Sequence, residues 1–192
     1  YYKNNLLSML NVLDEIIVKS SYIPFIFSSS CTVYGRANKF PISENEPTKT
    51  AESPYGNTKK IGEEILYDVS LTSQNINVIS LRYFNPIGAH SSLEIGELPL
   101  KKPQNLVPLI TQTAIGLNNK LTVYGSDYNT PDGSCVRDYI HVVDLAKAHV
   151  IAIKKLLKKE ASESFEVYNL GTGNGTSVFD MIKIFESVSG MK

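Results

Sequence analysis

Hydrophobic residues recur at two spacings near the start of the chain, one typical of helices and one typical of strands. A stripe with members three or four positions apart predicts an amphipathic helix over residues 5–19. Its members are Leu6, Leu10, Leu13 and Ile17. The near-continuous apolar run at 22–29 predicts a buried parallel strand. A polar stretch at 36–53, which contains Pro41 and Pro47, predicts a loop.

The same two patterns alternate along the rest of the chain. Helical spacing predicts further helices at 54–72, 106–117, 144–159 and 178–188. Short apolar runs predict strands at 77–84, 121–124 and 165–170. Strands that alternate with helices in this way predict an α/β fold with a mainly parallel sheet. The connections at 84–103 and 125–136 are longer than packing requires, so we expect them to carry binding groups.

Charge and cysteine content exclude several classes of protein. The 192 residues include 19 Lys and Arg against 19 Asp and Glu, whereas nucleic-acid and membrane-surface proteins carry a basic excess. No apolar run reaches the about 18 residues that a membrane helix needs. Cys31 and Cys135 lie far apart and the histidines lack ligand spacing, so neither a disulfide scaffold nor a metal site is predicted. A reducing, cytoplasmic location fits best.

The pair Tyr55 and Lys59 is the sharpest chemical signal. The two residues are four positions apart at the start of the predicted helix, so their side chains share one face. A tyrosine with a pKa near about 10 is a weak base at neutral pH. An ammonium about 6 Å away is expected to lower that pKa by about two units, and a cationic cofactor ring would lower it further. Because Tyr-x-x-x-Lys also arises by chance, the motif needs support from elsewhere.

That support comes from Ser30, which ends the predicted strand in a run of three serines. Ligands of open α/β sheets bind at the carboxyl ends of the strands, and buried hydroxyl groups there need polar partners. Ser30 lies 25 positions before Tyr55, and a connection of this length is enough to return the tyrosine to the serine. A serine hydroxyl beside a phenol is suited to moving a proton to or from a substrate alcohol.

Further blocks along the chain carry a family resemblance. They read F-S-S-S-x-T-V-Y-G at 27–35, S-P-Y-G-x-x-K at 53–59, L-R-Y-F-N-P-x-G-A-H at 81–90, P-x-N-L-x-P at 103–108, V-R-D-Y-I-H-V-x-D-L-A at 136–146 and N-L-G-x-G at 169–173. In these blocks the chain resembles the extended short-chain dehydrogenase/reductase family and, within it, the UDP-galactose 4-epimerases. The related 4,6-dehydratases typically carry Asp-Glu where this chain has Ser30 and Cys31, so dehydration is not expected.

The resemblance implies an NAD-dependent isomerase of galactose metabolism that interconverts UDP-glucose and UDP-galactose through a 4-keto sugar. Tyr55 would be the base, with Ser30 relaying or stabilising the proton and Lys59 tuning Tyr55. The residues that match cofactor-binding positions are Asn5, Ser30, Tyr55, Lys59, Tyr83 and Phe84. Those that match UDP-sugar-binding positions are Ser30, Tyr55, Asn85, Asn105, Leu106, Tyr124 and Arg137.

Ordinary structural roles remain open for two of these residues. Arg137 has a planar fork suited to a diphosphate, yet beside Asp138 it could equally form a surface ion pair. Tyr124 could stack on uracil or end a core strand.

The resemblance also implies an organisation. Residues 1–84 would form the C-terminal half of a Rossmann-like NAD-binding domain, and residues 85–192 a UDP-sugar-binding region interleaved with the sheet. The glycine-rich NAD motif of the family is absent, so the chain reads as an internal fragment. Alternatives are a non-catalytic UDP-sugar-binding fragment and a sister epimerase for UDP-arabinose or a UDP-N-acetyl sugar. Relatives often form homodimers through the helices at 5–19 and 54–72.

Overall fold

The computed structural model describes residues 1–19, 21–100 and 103–191. In this part of the chain there are six strands: β1 (Ile23–Ser30), β2 (Ile76–Tyr83), β3 (Asn85–Ile87), β4 (Val136–His141), β5 (Phe165–Leu170) and β6 (Gly175–Ser177). Five α-helices accompany them: α1 (Ser8–Ile17), α2 (Pro54–Thr72), α3 (Leu106–Ala114), α4 (Val142–Leu157) and α5 (Val178–Ser189). A π-helical segment, Lys3–Leu7, leads into α1.

The chain divides into two compact units. The first unit comprises residues 1–84 and 144–170, and the second comprises residues 85–143 and 171–192. Residues 101, 102 and 192 of the predicted substrate region lie outside the described residues. The functional roles given to segments 1–84 and 85–192 stay predictions.

The first unit is built on a parallel sheet in the order β1-β2-β5. Side chains alternate between the two faces of its central strand β2, as they do along any strand. Ile76 and Val78 pack in a core with residues of α1 and α2. Ile79 and Leu81 pack against α4 on the other face. Because apolar residues cover both faces, β2 reads in the sequence as a continuous apolar run.

Helix α2 begins at Pro54, the predicted start of the helix at 54–72. Ser53 accepts a hydrogen bond from the Gly56 amide at 3.1 Å, and Pro54 occupies the first turn, where a missing amide costs nothing. The structure confirms the predicted helix 54–72, and the strands at 22–29, 77–84 and 165–170 are each found within one residue. The α/β fold with a Rossmann-like parallel sheet flanked by helices is therefore confirmed.

The second unit departs more from the prediction. Its sheet has the order β3-β4-β6, with β3 and β4 parallel and β4 and β6 antiparallel. The sequence patterns predict none of these three strands, because β3 and β6 are only three residues long and β4 mixes charged with apolar residues. The strand predicted at 121–124 is wrong: that segment has no partner strand among the described residues, and a strand needs one for its ladder.

Candidate active site

Ser30 and Tyr55 come together because two turns meet at the carboxyl end of β1. After Ser30 the chain forms a 3₁₀ turn, Cys31–Tyr34, in which the Ser30 oxygen accepts hydrogen bonds from the Thr32 amide and hydroxyl. The first turn of α2 lies directly against this turn. A Cβ atom at Gly56 would lie 3.1 Å from the Thr32 hydroxyl oxygen, closer than side chains normally approach. The glycine therefore permits the close approach of the two turns that carry Ser30 and Tyr55.

Lys59 lies one helical turn after Tyr55 on the same face. Its ammonium nitrogen is 5.5 Å from the centre of the Tyr55 ring and 5.3 Å from the centre of the Phe27 ring. It donates a hydrogen bond of 2.8 Å to the Ser28 carbonyl oxygen in β1. The structure therefore brings together Ser30, Tyr55 and Lys59, as the sequence predicts.

The electrostatics of Tyr55 differ from the sequence-based expectation. Burial raises the pKa of Tyr55, and the hydrogen bond with Ser30 opposes this only in part. Burial also lowers the pKa of Lys59. The expected fall of about two units in the Tyr55 pKa is wrong for the chain by itself, because the ammonium lies over the ring and donates to a carbonyl. The cost of desolvating the phenolate outweighs the favourable interaction of the phenolate with Ser30.

The predicted cofactor residues are anchored around this pair. Asn5 donates a hydrogen bond of 2.9 Å to the Thr58 hydroxyl, which in turn donates to the Tyr55 carbonyl oxygen at 2.8 Å. Asn5 thus contacts the N-terminal part of α2. Tyr83 lies opposite Ser30 in the β1–β2 register, and the next amide, that of Phe84, donates to the Leu170 carbonyl at 3.0 Å. All of these residues belong to the first unit.

Of the predicted substrate residues, Ser30 and Tyr55 belong to the first unit and the other five belong to the second. They are Asn85 in β3, Asn105 and Leu106 at the start of α3, Tyr124 in a loop and Arg137 in β4. In the described part of the chain, no side-chain hydrogen bond joins any two of them.

The ordinary roles left open for Arg137 and Tyr124 are not what the structure shows. Tyr124 is 80% exposed and so does not end a core strand. Arg137 is exposed and donates to the carbonyl of Val136, whereas Asp138 accepts hydrogen bonds from Thr172 and Gly173.

Comparison with known proteins identifies the family. A model described as the NAD dependent epimerase/dehydratase family matches residues 1–171. The chain belongs to this family. The UDP-glucose 4-epimerase of Drosophila melanogaster is 51% identical over 192 residues, which are 100% of this chain and 54% of that protein. The chain thus spans about half the length of the curated relatives it matches.

Solved structures of epimerases superpose on the chain. The UDP-glucose 4-epimerase of Bifidobacterium longum, in complex with NAD+ and UDP, has 47% identity and a TM-score of 0.89, with 99% of this chain and 55% of that chain covered. The enzyme of Stenotrophomonas maltophila, with bound NAD and formylated UDP-arabinopyranose, has 43% identity and a TM-score of 0.93, with 100% and 56% covered. The resemblance expected from the sequence blocks is confirmed.

Two groups of residues in this epimerase-family chain escape the sequence-based prediction. One is His149, which contacts Tyr83; it shares the helical stripe of Ala152 and Leu156, a spacing that places it against the sheet. The other is the buried pair of Glu63 and Arg82.

One sequence feature could have revealed this pair: Glu63 lies three residues before Leu66, which places it on the buried face of α2. Arg82 likewise falls on the β2 face that Ile76 and Val78 occupy.

Among the described residues, no three potential ligands cluster as a metal ion would require, and no helix is long and apolar enough to cross a membrane.

Proposed function

We propose that this chain carries the catalytic centre of an NAD-dependent 4-epimerase that interconverts UDP-glucose and UDP-galactose, an isomerase of galactose metabolism. The observation that carries the proposal is the contact of Ser30, Tyr55 and Lys59 at the carboxyl end of β1 in a parallel sheet. Similarity to named UDP-glucose 4-epimerases over the whole of the chain supports it.

The polar groups at this end of the sheet fit NAD. Lys59 has three ammonium protons and gives one to the Ser28 carbonyl, so two remain for a ribose hydroxyl. Tyr83 and Asn5 are half-buried at the same end of the unit, where dinucleotides bind in folds of this kind. In our proposal Asn5, Ser30, Tyr55, Lys59, Tyr83 and Phe84 hold the cofactor.

Tyr55 is the proposed general base. It takes the proton of the sugar 4-hydroxyl and later returns it, while Ser30 donates a hydrogen bond that favours the phenolate. Bound NAD+ would supply an acceptor for the hydride that leaves carbon 4 of the sugar. The reduced cofactor would supply the same hydride to the other face of the 4-keto sugar. Since burial raises the Tyr55 pKa, the proposal requires a positive charge near the phenol oxygen. The oxidised nicotinamide ring carries such a charge.

The second unit is proposed to hold the UDP-sugar. The exposed guanidinium of Arg137 can bind a diphosphate through two parallel hydrogen bonds, and the exposed ring of Tyr124 can stack on uracil. The proposed contacts of Asn85, Asn105 and Leu106 come from the matching sequence blocks.

Replacing Tyr55 with phenylalanine tests the base. In the complete protein, Tyr55→Phe should lower turnover of UDP-galactose by at least about a hundredfold, the contribution of a general base, while UDP binding survives. The matched control is Tyr67→Phe, which removes a hydroxyl from the same helix at an exposed position that packs on Phe165. Equal turnover in the two variants would refute the assignment of Tyr55.

Two other functions lead to different outcomes. A chain that binds UDP-sugar without turning it over would show UDP binding and no product, even with added NAD+. A sister epimerase would prefer another substrate in a panel of UDP-galactose, UDP-arabinose and UDP-N-acetylglucosamine. The structure from Stenotrophomonas maltophila, which holds an arabinose derivative, is the observation that favours including the pentose.

We also propose a homodimer in the cytoplasm. Large apolar side chains are exposed on both helices that the resemblance implicates, among them Leu10, Val12 and Ile17 on α1 and Tyr67 and Leu71 on α2. Burial of such side chains is the usual driving force for stable association. Cys31 and Cys135 are too few and too far apart in the sequence for a disulfide scaffold, which suits a reducing compartment. Sedimentation analysis of the complete protein tests the dimer.

A further inference from the structure

The hydroxyl group of Tyr83 is held from two sides. It lies 2.8 Å from the Ser28 hydroxyl oxygen and 2.5 Å from Nε2 of His149. The Tyr83 and His149 rings are 5.5 Å apart and inclined at 54°. His149 belongs to α4, which packs on β2 through Ala152 and Leu156. The Tyr83 side chain is therefore fixed by a second rigid element as well as by its own strand.

The second ring nitrogen of His149 determines the direction of these hydrogen bonds. Nδ1 lies 2.8 Å from the Leu145 carbonyl oxygen, one turn earlier in α4. Because a carbonyl only accepts, Nδ1 carries a proton, and in the neutral ring Nε2 is an acceptor. Tyr83 has a single hydroxyl proton, which the Ser28 oxygen accepts at 2.8 Å and which Nε2 of His149, the nearer acceptor at 2.5 Å, can accept as well.

This arrangement connects the Tyr83 phenol to the catalytic pair. The Ser28 carbonyl accepts from Lys59, so one residue of β1 links Lys59 to Tyr83. Burial raises the pKa of Tyr83, and negative charge on Tyr55 raises it further. Tyr83 consequently stays protonated when Tyr55 ionises, and it keeps its donated hydrogen bond to His149.

We propose that His149 is a positioning residue of the cofactor site: by accepting a hydrogen bond from Tyr83, it fixes the phenol ring for contact with NAD. The inference rests on the proposed function, in which Tyr83 helps to hold the cofactor. Removing the acceptor should free the Tyr83 side chain to rotate. NAD+ binding would then have to order this side chain, and the entropy lost in doing so would weaken the affinity.

The experiment measures NAD+ binding to the NAD-free complete protein by calorimetry, with turnover recorded alongside. His149→Phe keeps an aromatic ring against Tyr83 but has no acceptor, and it should weaken NAD+ binding about fivefold, the typical effect of one hydrogen bond. His149→Gln, whose amide oxygen can accept, should restore affinity to within about twofold. The control Lys147→Leu, on the same helix but exposed and in a surface ion pair with Asp144, should bind NAD+ as the wild type does.

A double-mutant cycle separates positioning from general damage. Tyr83→Phe removes the same hydrogen bond from the other end, so combining it with His149→Phe should weaken binding no more than Tyr83→Phe alone. Additive losses, or wild-type affinity in His149→Phe, would overturn the proposal. If His149→Phe does not fold, Tyr83→Phe decides: unchanged NAD+ affinity in that variant overturns the inference.

The same titrations distinguish this inference from the proposed function. A wild-type protein that binds NAD+ but turns over no UDP-sugar would refute the epimerase, while the affinities of the His149 variants would still test the positioning role. An active epimerase whose NAD+ affinity does not change in the His149 variants would refute the positioning role and leave the proposed function intact.

Discussion

The two compact units hold their functional residues in different ways. In the first unit, every proposed catalytic side chain has a partner within the fold: Ser30 with Thr32 and Tyr55, and Lys59 with the Ser28 carbonyl. In the second unit, Tyr124 and Arg137 are exposed. The proposed catalytic residues of the first unit are thus organised before any ligand arrives, whereas our proposal requires a ligand to order the side chains of the second.

The same contrast holds for buried charge. In the first unit, Arg82 donates two hydrogen bonds to Glu63, at 2.9 and 2.6 Å, and both residues are only 6% exposed. Ser29 and Ser80 also donate to the Glu63 carboxylate. Burying a charged group has a high desolvation cost unless its hydrogen bonds are all made. Because the Glu63 carboxylate makes its hydrogen bonds with residues of both strands, the pair holds α2 against β1 and β2 in one arrangement. Among the described residues of the second unit, the buried polar ones are the uncharged Ser134 and Ser177.

Breaking the buried pair should have the largest effect on stability. Arg82→Met leaves the Glu63 carboxylate buried without its cation, and we expect the free energy of unfolding to fall by about 3–5 kcal/mol. Urea denaturation measures it. The control is Arg36→Met, because Arg36 pairs with Glu52 at 2.5 Å while 90% exposed, and such pairs contribute at most about 1 kcal/mol. Similar losses in the two variants would contradict the distinction between buried and surface pairs.

A second buried carboxylate in the first unit should make stability depend on pH. Glu166 accepts from Lys155 at 2.6 Å, from Tyr168 at 2.9 Å and from the Ser162 amide at 2.7 Å. Burial by itself would raise its pKa, but these hydrogen bonds dominate and lower the pKa from 4.5 to about 2. The folded pKa is below the unfolded one, so the stabilisation is present above pH 4.5 and is lost as the pH falls to about 2.

Glu166→Gln tests this dependence. The variant should lose about 2 kcal/mol at pH 7 and show a flatter stability profile between pH 5 and about 2 than the wild type. Unfolding free energies measured across that range provide the comparison. Parallel pH profiles for variant and wild type would show that Glu166 does not carry the effect. Glu163→Gln, an exposed neighbour, serves as the control.

The contrast between the units also explains what the sequence can predict. In the first unit, long apolar runs and helical spacing predict the strands and helices to within a few residues. The contact of Ser30 with Tyr55 follows from the same topology, since both lie at the carboxyl end of β1. Periodicity reports burial and secondary structure, and these suffice where regular elements are long.

The features that the sequence does not predict depend on three-dimensional contacts. The Tyr55 pKa depends on the balance of desolvation and hydrogen bonding, which spacing along a helix cannot supply. The partners of Glu63 come from two strands of the sheet, and β6 exists only because β4 pairs with it. Short strands are stabilised by their partners more than by their own composition, so patterns along one segment miss them.

The smallest expected change in stability belongs to Arg137 in the second unit. Its side chain is exposed and donates to its neighbouring carbonyl, so Arg137→Ala should change the free energy of unfolding by less than about 0.5 kcal/mol. If it binds the diphosphate, the same change should weaken UDP binding by at least about tenfold, the effect of losing charge-assisted hydrogen bonds. Thermal denaturation and UDP calorimetry on the complete protein measure the two effects separately. Loss of UDP binding together with a large fall in stability would place Arg137 among the structural residues, and the contrast between a preorganised first unit and a ligand-ordered second unit would then fail at this position.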